Sequence, residues 1–308
     1  MNRVLVTGAT GFVGRSLCAR LEDDRLPFRR AVRIADRTDK DTIAVGDIDG
    51  RTDWGRALAG ISHVVHLAAR VHVMGGEGAE PLVAYRQINV EGTCHLAVRA
   101  ARAGVRRFVF VSTIKVNGEA THGTPFRAED LPAPDDAYAL SKLEAEAALQ
   151  DIARQTGMEV VIVRLPLVYG NGAGGNFGRL LRLVDSGLPL PFAGIANQRS
   201  LLGIDNLCHL LTLCLVHPAA ANRLFLAADN EDVSTPTLIR LMAKARGVPA
   251  RLFSVPAFLL VLVAGLAGRK GELRRLTGDL RVDTAATQAT LGWQPPLTLA
   301  EGIRRAVS

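Results

Sequence analysis

Three groups of residues have the types and spacing to do chemistry. Tyr138-Ala139-Leu140-Ser141-Lys142 sets a phenol and an ammonium one helical turn apart, and so on one face of a helix. A free tyrosine titrates near pH ~10 and is a poor base at neutrality; a nearby cation favours the phenolate and is expected to bring it into the acid/base range. Upstream, Phe108-Val109-Phe110-Val111-Ser112-Thr113 reads as a strand with two hydroxyls at its carboxyl end, where open α/β sheets place their ligands. Either hydroxyl can hold an oxygen that is being oxidised or reduced. Thr7-Gly8-Ala9-Thr10-Gly11-Phe12-Val13-Gly14 follows an apolar strand and opens a helix, the context that a dinucleotide fingerprint requires. Gly8 permits the tight turn, Gly11 lets backbone approach a pyrophosphate, and Gly14 allows close packing of helix on strand. The amides and dipole of the helix start then favour the phosphates. A tyrosine one turn before a lysine is common in ordinary amphipathic helices, and a glycine turn alone establishes only a turn. Together with the hydroxyl pair they point to hydride transfer with a nicotinamide dinucleotide.

The second strand ends Ala31-Val32-Arg33, and an arginine there accommodates a ribose 2′-phosphate where an acid would bind a free 2′-hydroxyl. Arg33 therefore favours NADP(H) over NAD(H), while Asp36, which follows closely and can reach a ribose, keeps NAD(H) as the alternative. Asp47-Ile48, after a third short strand, is placed to touch an adenine. Leu67-Ala68-Ala69 ends another strand beside the phosphates. Thr10, Phe12 and Val13 complete the expected cradle.

These groups must be carried by a sheet. Apolar runs at Val4 to Thr7, Ala31 to Ile34, Val64 to Ala68, Phe108 to Ser112 and Val160 to Arg164 alternate with helical patterns at Gly11 to Leu21, Pro81 to Ala103 and Tyr138 to Thr156. That is the rhythm of a doubly wound (Rossmann) parallel sheet, buried on both faces. Gly104 and Gly157 close the last two helices. After Arg164 the glycines and prolines from Pro166 to Pro191 break the chain into loops, so a Rossmann domain is expected over 1–165 and a smaller α/β substrate-binding lobe over 166–308. Strands at Ser200 to Ile204 and Arg223 to Ala227 are expected to return to the main sheet. The apolar run from Ala257 to Gly268 is too short to span a bilayer, which takes roughly 20 residues, and reads as a buried helix with interfacial membrane contact as the lesser reading.

The composition agrees with a globular enzyme: 48% of the 308 residues are hydrophobic and 22% charged. The net charge of +7 is spread over scattered arginine pairs without interleaved aromatics, which argues against nucleic acid and for attraction of anionic small molecules. Cys18, Cys94, Cys208 and Cys214 have neither metal nor disulfide spacing and read as reduced core thiols. The chain enters a strand at Arg3 with no room for a signal-peptide core, so a cytoplasmic location is expected.

With these motifs the sequence resembles the extended short-chain dehydrogenase/reductase family, within it the nucleotide-sugar epimerases, dehydratases and reductases. The resemblance extends through Arg164 to Gly170, Arg199 to Asp205 and Leu291-Gly292-Trp293-Gln294-Pro295. It implies that Tyr138 is the acid/base, that Lys142 binds the nicotinamide ribose and tunes the tyrosine, and that Thr113 orients the reacting sugar oxygen. It also implies that Asn176 and Arg199 contact a nucleotide, with Lys115 a further substrate contact. Where the dehydratases of the family carry an Asp-Glu pair after the threonine, this chain has Ile114-Lys115, and no cysteine lies near Thr113 as in the fucose-type epimerising reductases. Two reactions at C4 of a UDP-sugar are left. Arg33 and the run Ser112 to Glu119, which looks like bacterial enzymes of surface polysaccharide synthesis, favour NADPH reduction of a UDP-2-acetamido-2,6-dideoxy-4-hexulose to UDP-N-acetylquinovosamine or its C4 epimer. The alternative is a UDP-hexose or UDP-N-acetylhexosamine 4-epimerase with bound NAD, and a more distant one is a non-catalytic dinucleotide-binding protein. The resemblance further implies a homodimer built on the helices at 81–103 and 138–156, with Leu96, Ala97, Ala100, Ala101, Leu143, Ala147 and Leu149 as apolar candidates.

Overall fold

The structure is a computed structural model that describes residues 3–34, 39–71, 81–266 and 270–307; Asp36 lies outside the described residues. The chain begins β1 (Val4–Thr7), α1 (Phe12–Asp23), β2 (Phe28–Val32), β3 (Thr42–Ala44), α2 (Gly55–Leu58) and β4 (His63–His66). A long helical stretch follows as α3 (Pro81–Arg86), a π-helical turn (Gln87–Gly92) and α4 (Thr93–Arg102). Then come β5 (Arg107–Thr113), α5 (Ala137–Thr156), β6 (Glu159–Leu165), β7 (Leu167–Tyr169), α6 (Gly175–Asp185), β8 (Leu201–Gly203), α7 (Ile204–Val216) and β9 (Arg223–Leu226). The last helices are α8 (Thr235–Arg246), α9 (Ala257–Leu266), α10 (Lys270–Thr277), α11 (Ala285–Leu291) and α12 (Leu299–Val307).

Seven strands form one parallel sheet in the order β3-β2-β1-β4-β5-β6-β9. Alternate residues go to opposite faces, as the two-residue period of a strand demands. Val4, Val6, Val65 and Val109 pack with α1 and α7 through Leu17, Leu21 and Leu211. Leu5, Val64, Phe108 and Phe110 pack on the other side with Trp54, Leu96 and Leu149. The strand order reverses between β1 and β4, the crevice where doubly wound sheets bind ligands. The glycine turn after β1 and Leu67-Ala68-Ala69 after β4 flank that crevice.

The expected doubly wound sheet is present, with differences that have local causes. Only one of the two expected strand returns reaches it. β9 joins beside β6, whereas the strand expected at Ser200 to Ile204 is β8, which pairs with β7 in a separate two-stranded sheet. This small sheet, α6, α8 and α12 share a second core around Tyr169, Phe177, Ile239, Met242 and Ile303. The helix expected from Pro81 to Ala103 is interrupted by a π turn, where Gly92 lies so close to Ile48 that a Cβ would stand 2.8 Å from its Cγ2. Of the apolar candidates for a dimer face, Leu96, Ala97, Ala100 and Leu149 are buried against the sheet, Ala101 and Leu143 are half-buried, and Ala147 is exposed. Arg107, in one of the scattered arginine pairs, does not contribute to a basic surface: it is 2% exposed, its guanidinium pairing with Glu159 at 2.6 Å and donating to the Cys214 and His217 carbonyls. The apolar run is also corrected: α9 is helical, but Phe258, Leu259 and Leu262 are exposed rather than buried.

Candidate active site

Helix α5 starts where Asp136 accepts a hydrogen bond from the Ala139 amide at 2.7 Å, a side-chain N-cap, and it stops at Gly157 in the left-handed conformation. Tyr138, Lys142 and Glu146 follow one another at single-turn spacing along the face turned to the sheet. Lys142 is buried, its Nζ lying 3.9 Å from the centre of the Phe110 ring. The phenol of Tyr138 reaches a cavity of about 620 Å³ between the sheet and the lobe. Tyr85 stands beside it, ring centres 5.9 Å apart.

Burial pushes Lys142 down to about 7, Glu146 acting in the opposite direction. Burial raises Tyr138 to about 12, with the negative charge of Asp136 and then Tyr85 adding to the effect. In the free protein the phenol is thus raised, against the expectation that Lys142 lowers it: loss of hydration is the largest cause, and the Lys142 Nζ faces the Phe110 ring. The phenol is thus a protonated group at neutral pH, suited to donate a proton to an oxygen that gains negative charge.

The two hydroxyls at the end of β5 separate in role. Ser112 is buried and donates to Glu146, which also holds Arg164 at 2.6 Å, while Arg164 donates to Asn117 at 2.9 Å. Thr113 lines the cavity, its Oγ accepting from the Lys115 amide at 3.3 Å. The Glu146–Arg164 pair ties α5 to β6 with both side chains under 5% exposed. Leaving one such buried charge unpaired costs about 3–5 kcal/mol. Glu146→Gln is therefore expected to lower the unfolding free energy by about 3 kcal/mol, read from the urea midpoint.

Thr113, Lys115, Tyr138, Asn176 and Arg199 all line the one cavity, brought together from β5, the turn after it, α5, α6 and the segment before β8. Lys115 is not simply solvated: its Nζ is held by Glu119 at 2.5 Å and Asp136 at 2.7 Å. Arg199 donates to the Gly278 carbonyl at 2.9 Å. Glu119 and Arg275 also line the cavity and were not found from sequence, since nothing local marks either. Asp136 was missed although it carried a signal, an acid directly before an apolar helical pattern.

Around the crevice, Gly8 has φ +67, and a Cβ there would lie 2.8 Å from the Ala68 amide nitrogen. At Gly14 a Cβ would drive into the Gly8 carbonyl oxygen and stand 2.7 Å from the Ala9 Cα. No side chain caps the start of α1 at Gly11, which leaves the first amides of this helix for an anion. The residues present therefore fit a dinucleotide, whose pyrophosphate Gly8 to Gly14 would hold, with Leu67 to Ala69 as the opposite wall. Arg33 and Asp47 are both well exposed and pair with each other at 2.8 Å, so the aspartate expected at the adenine meets the arginine expected at a 2′-phosphate. Ile48 packs against Gly92.

Two further groups escaped sequence reasoning. Asn89, in the π turn, bonds the Arg70 backbone amide at 2.8 Å and donates to Ser141 at 3.0 Å, whose hydroxyl donates to the Tyr138 carbonyl at 2.7 Å. His66 links Thr7 at 2.7 Å to Thr93 at 2.9 Å, and burial, with Lys142 as the second cause, lowers it to about 3, so it is neutral. Among the described residues no group of acidic, histidine or cysteine side chains could hold a metal ion.

A doubly wound sheet with an open glycine turn at its switch point, and a tyrosine and threonine converging on a cavity beside it with a buried lysine one turn along the helix from the tyrosine, defines an oxidoreductase of the nicotinamide-dependent Rossmann class. The chain belongs to the NAD dependent epimerase/dehydratase family, whose profile matches residues 4–227. It is 47% identical over 307 residues to the UDP-glucose 4-epimerase of Vibrio cholerae, covering 98% of this chain and 93% of that one. A UDP-glucose 4-epimerase of Mycolicibacterium smegmatis is 29% identical over 326 residues, covering 99% and 97%. Among solved structures, the fold matches UDP-N-acetylglucosamine 4-epimerase from Bacillus cereus with a TM-score of 0.80 at 18% identity, covering 100% and 98% of the two chains.

Proposed function

We propose that the protein is a UDP-hexose 4-epimerase that works with retained NAD. The observation that carries this reading is the 47% identity, over nearly the whole of both chains, to a UDP-glucose 4-epimerase. It reverses the order of the two sequence-based expectations, in which the 4-reductase stood first. The pairing of Arg33 with Asp47 supports the change, because a 2′-phosphate at Arg33 would meet a carboxylate 2.8 Å from the guanidinium. Arg33 had been the main reason to favour NADPH.

The dinucleotide supplies a hydride acceptor that gives the hydride back. Lys142 is placed to hold its ribose, and Gly8, Gly11 and Gly14 its pyrophosphate. Once the filled crevice sets the protonated Lys142 to favour the phenolate, Tyr138 takes up the proton of the sugar 4-hydroxyl and returns it to the same oxygen, while Thr113 donates to that oxygen. Because substrate and product differ only in configuration at one carbon, the ketone turns over between the two proton transfers. A cavity of about 620 Å³, with apolar walls from Leu165, Leu167, Leu180 and Leu238 beside its polar groups, offers room for the ring to turn. Lys115, Arg199 and Arg275 are the cations lining the cavity that would attract the diphosphate of the nucleotide.

Purified protein incubated with UDP-galactose and no added cofactor is expected to form UDP-glucose, followed by proton NMR of the anomeric signals. Failure to interconvert the pair, together with consumption of NADPH by a UDP-4-keto sugar, would return the reductase to first place.

A further inference from the structure

The helix α9 has no place in the chemistry, and its surface is unusual for a globular enzyme. Phe258, Leu259 and Leu262 are 69%, 38% and 56% exposed and share one helical face. Phe253, 46% exposed, extends the patch from the preceding segment, where its amide donates to the Leu190 carbonyl at 3.1 Å; Leu188, 62% exposed, precedes that partner. Large aliphatic and aromatic side chains gathered in one exposed area mark a docking surface. At ten residues, α9 is too short to cross a bilayer, and no described helix is long and apolar enough to do so.

The charge around the patch selects its occupant. From Val233 to Gly271 the sequence has no Asp or Glu, whereas it has Arg240, Lys244, Arg246, Arg251, Arg269 and Lys270. Arg251 is exposed and lies two residues from Phe253, with its Nη1 on the Gly187 carbonyl at 3.2 Å. Arg246 and Arg274 are each paired with an acid, Asp185 at 2.9 Å and Glu119 at 3.2 Å, so Arg251 is the cation that stands at the patch edge. A second copy of the chain would bring the same positive potential to the patch and be repelled by it. An apolar strip with Arg251 at its edge and no acid within its own segment from Val233 to Gly271 is complementary to anionic headgroups above acyl chains.

We infer that α9 and the Leu188–Phe253 edge adsorb the protein to the surface of an anionic lipid bilayer. This goes beyond the proposed epimerisation, and it is tested by lipid binding, not by turnover.

The test is co-sedimentation with vesicles of phosphatidylethanolamine containing about one third phosphatidylglycerol, against vesicles of phosphatidylcholine alone. At low salt the anionic vesicles are expected to bind the protein about ten-fold more strongly, with several-fold loss in high salt. Phe258→Asp combined with Leu262→Asp is expected to reduce binding to the phosphatidylcholine level, and Arg251→Glu to reduce it several-fold. Both variants alter exposed side chains away from the cavity and are expected to keep the wild-type thermal midpoint and turnover. Equal binding to both vesicle types, or unchanged binding by the double aspartate variant, would overturn the inference. So would light scattering in which that variant turns a dimer into a monomer while the wild type ignores vesicles, because the patch would then be covered by a second copy.

Discussion

Replacing Tyr138 by phenylalanine is expected to lower kcat by about 10²–10⁴-fold, the span of a positioned general acid/base, with little change in KM or in dinucleotide affinity. The phenol hydroxyl is the only atom removed, and the ring keeps its packing on Tyr85. The neighbouring phenol of Tyr85, which lines the same cavity, donates to the Val71 carbonyl at 3.2 Å. Lys115 is engaged by Glu119 and Asp136, and Lys142 lies over Phe110 behind the phenol. At about 12 the phenol supplies its proton readily but needs help to take one up. The buried Lys142, at about 7 in the free protein, is the neighbour whose protonated form can give that help once the crevice is filled. Steady-state kinetics with UDP-galactose, beside fluorescence titration with NAD, separates the two quantities. A variant with unchanged kcat would remove Tyr138 from the chemistry, while lost dinucleotide binding would make it a residue of the crevice instead.

The features legible in the sequence were those written by local pattern. Val4 to Thr7, the glycine turn and the capped run from Tyr138 to Thr156 each carry their own periodicity and stop signals, and each lies where expected. The crossing points were not legible. Ser200 to Ile204 is as apolar as a main-sheet strand, yet β8 pairs with β7, because Tyr169, whose hydroxyl donates to Asp229 at 2.7 Å, and the Gly203 amide, which donates to Asp229 at 2.9 Å, anchor both strands to the lobe. No window of sequence contains that contact. The same holds for Ser112, whose partner Glu146 lies on another element, and for Arg33, whose meaning changed once Asp47 stood beside it. The apolar run at Ala257 misled in the opposite way: periodicity reports a hydrophobic helix but not whether protein covers it.

Gly14→Ala is expected to weaken NAD binding by at least about 100-fold and to lower the unfolding free energy by about 1–3 kcal/mol, the usual cost of forcing a methyl into a packed interior. The added Cβ meets backbone, the Gly8 carbonyl oxygen and the Ala9 Cα at 2.7 Å, and backbone cannot rotate away as a side chain can. The first turn of α1 must lift from β1, which moves the uncapped amides of this helix out of line with the pyrophosphate. Gly11→Ala is the control, because its Cβ would meet only the Gly8 carbonyl oxygen at 3.2 Å. It lies at the N-cap with an extended backbone that alanine also adopts. Its effect on stability is therefore expected to be smaller than that of Gly14→Ala, and any loss of affinity there reports the methyl meeting the ligand. Calorimetric titration with NAD and thermal melts of the two variants read these terms apart. If Gly14→Ala bound NAD as the wild type does, the turn between β1 and α1 would be a packing device, and the dinucleotide would have to be held by residues other than this loop.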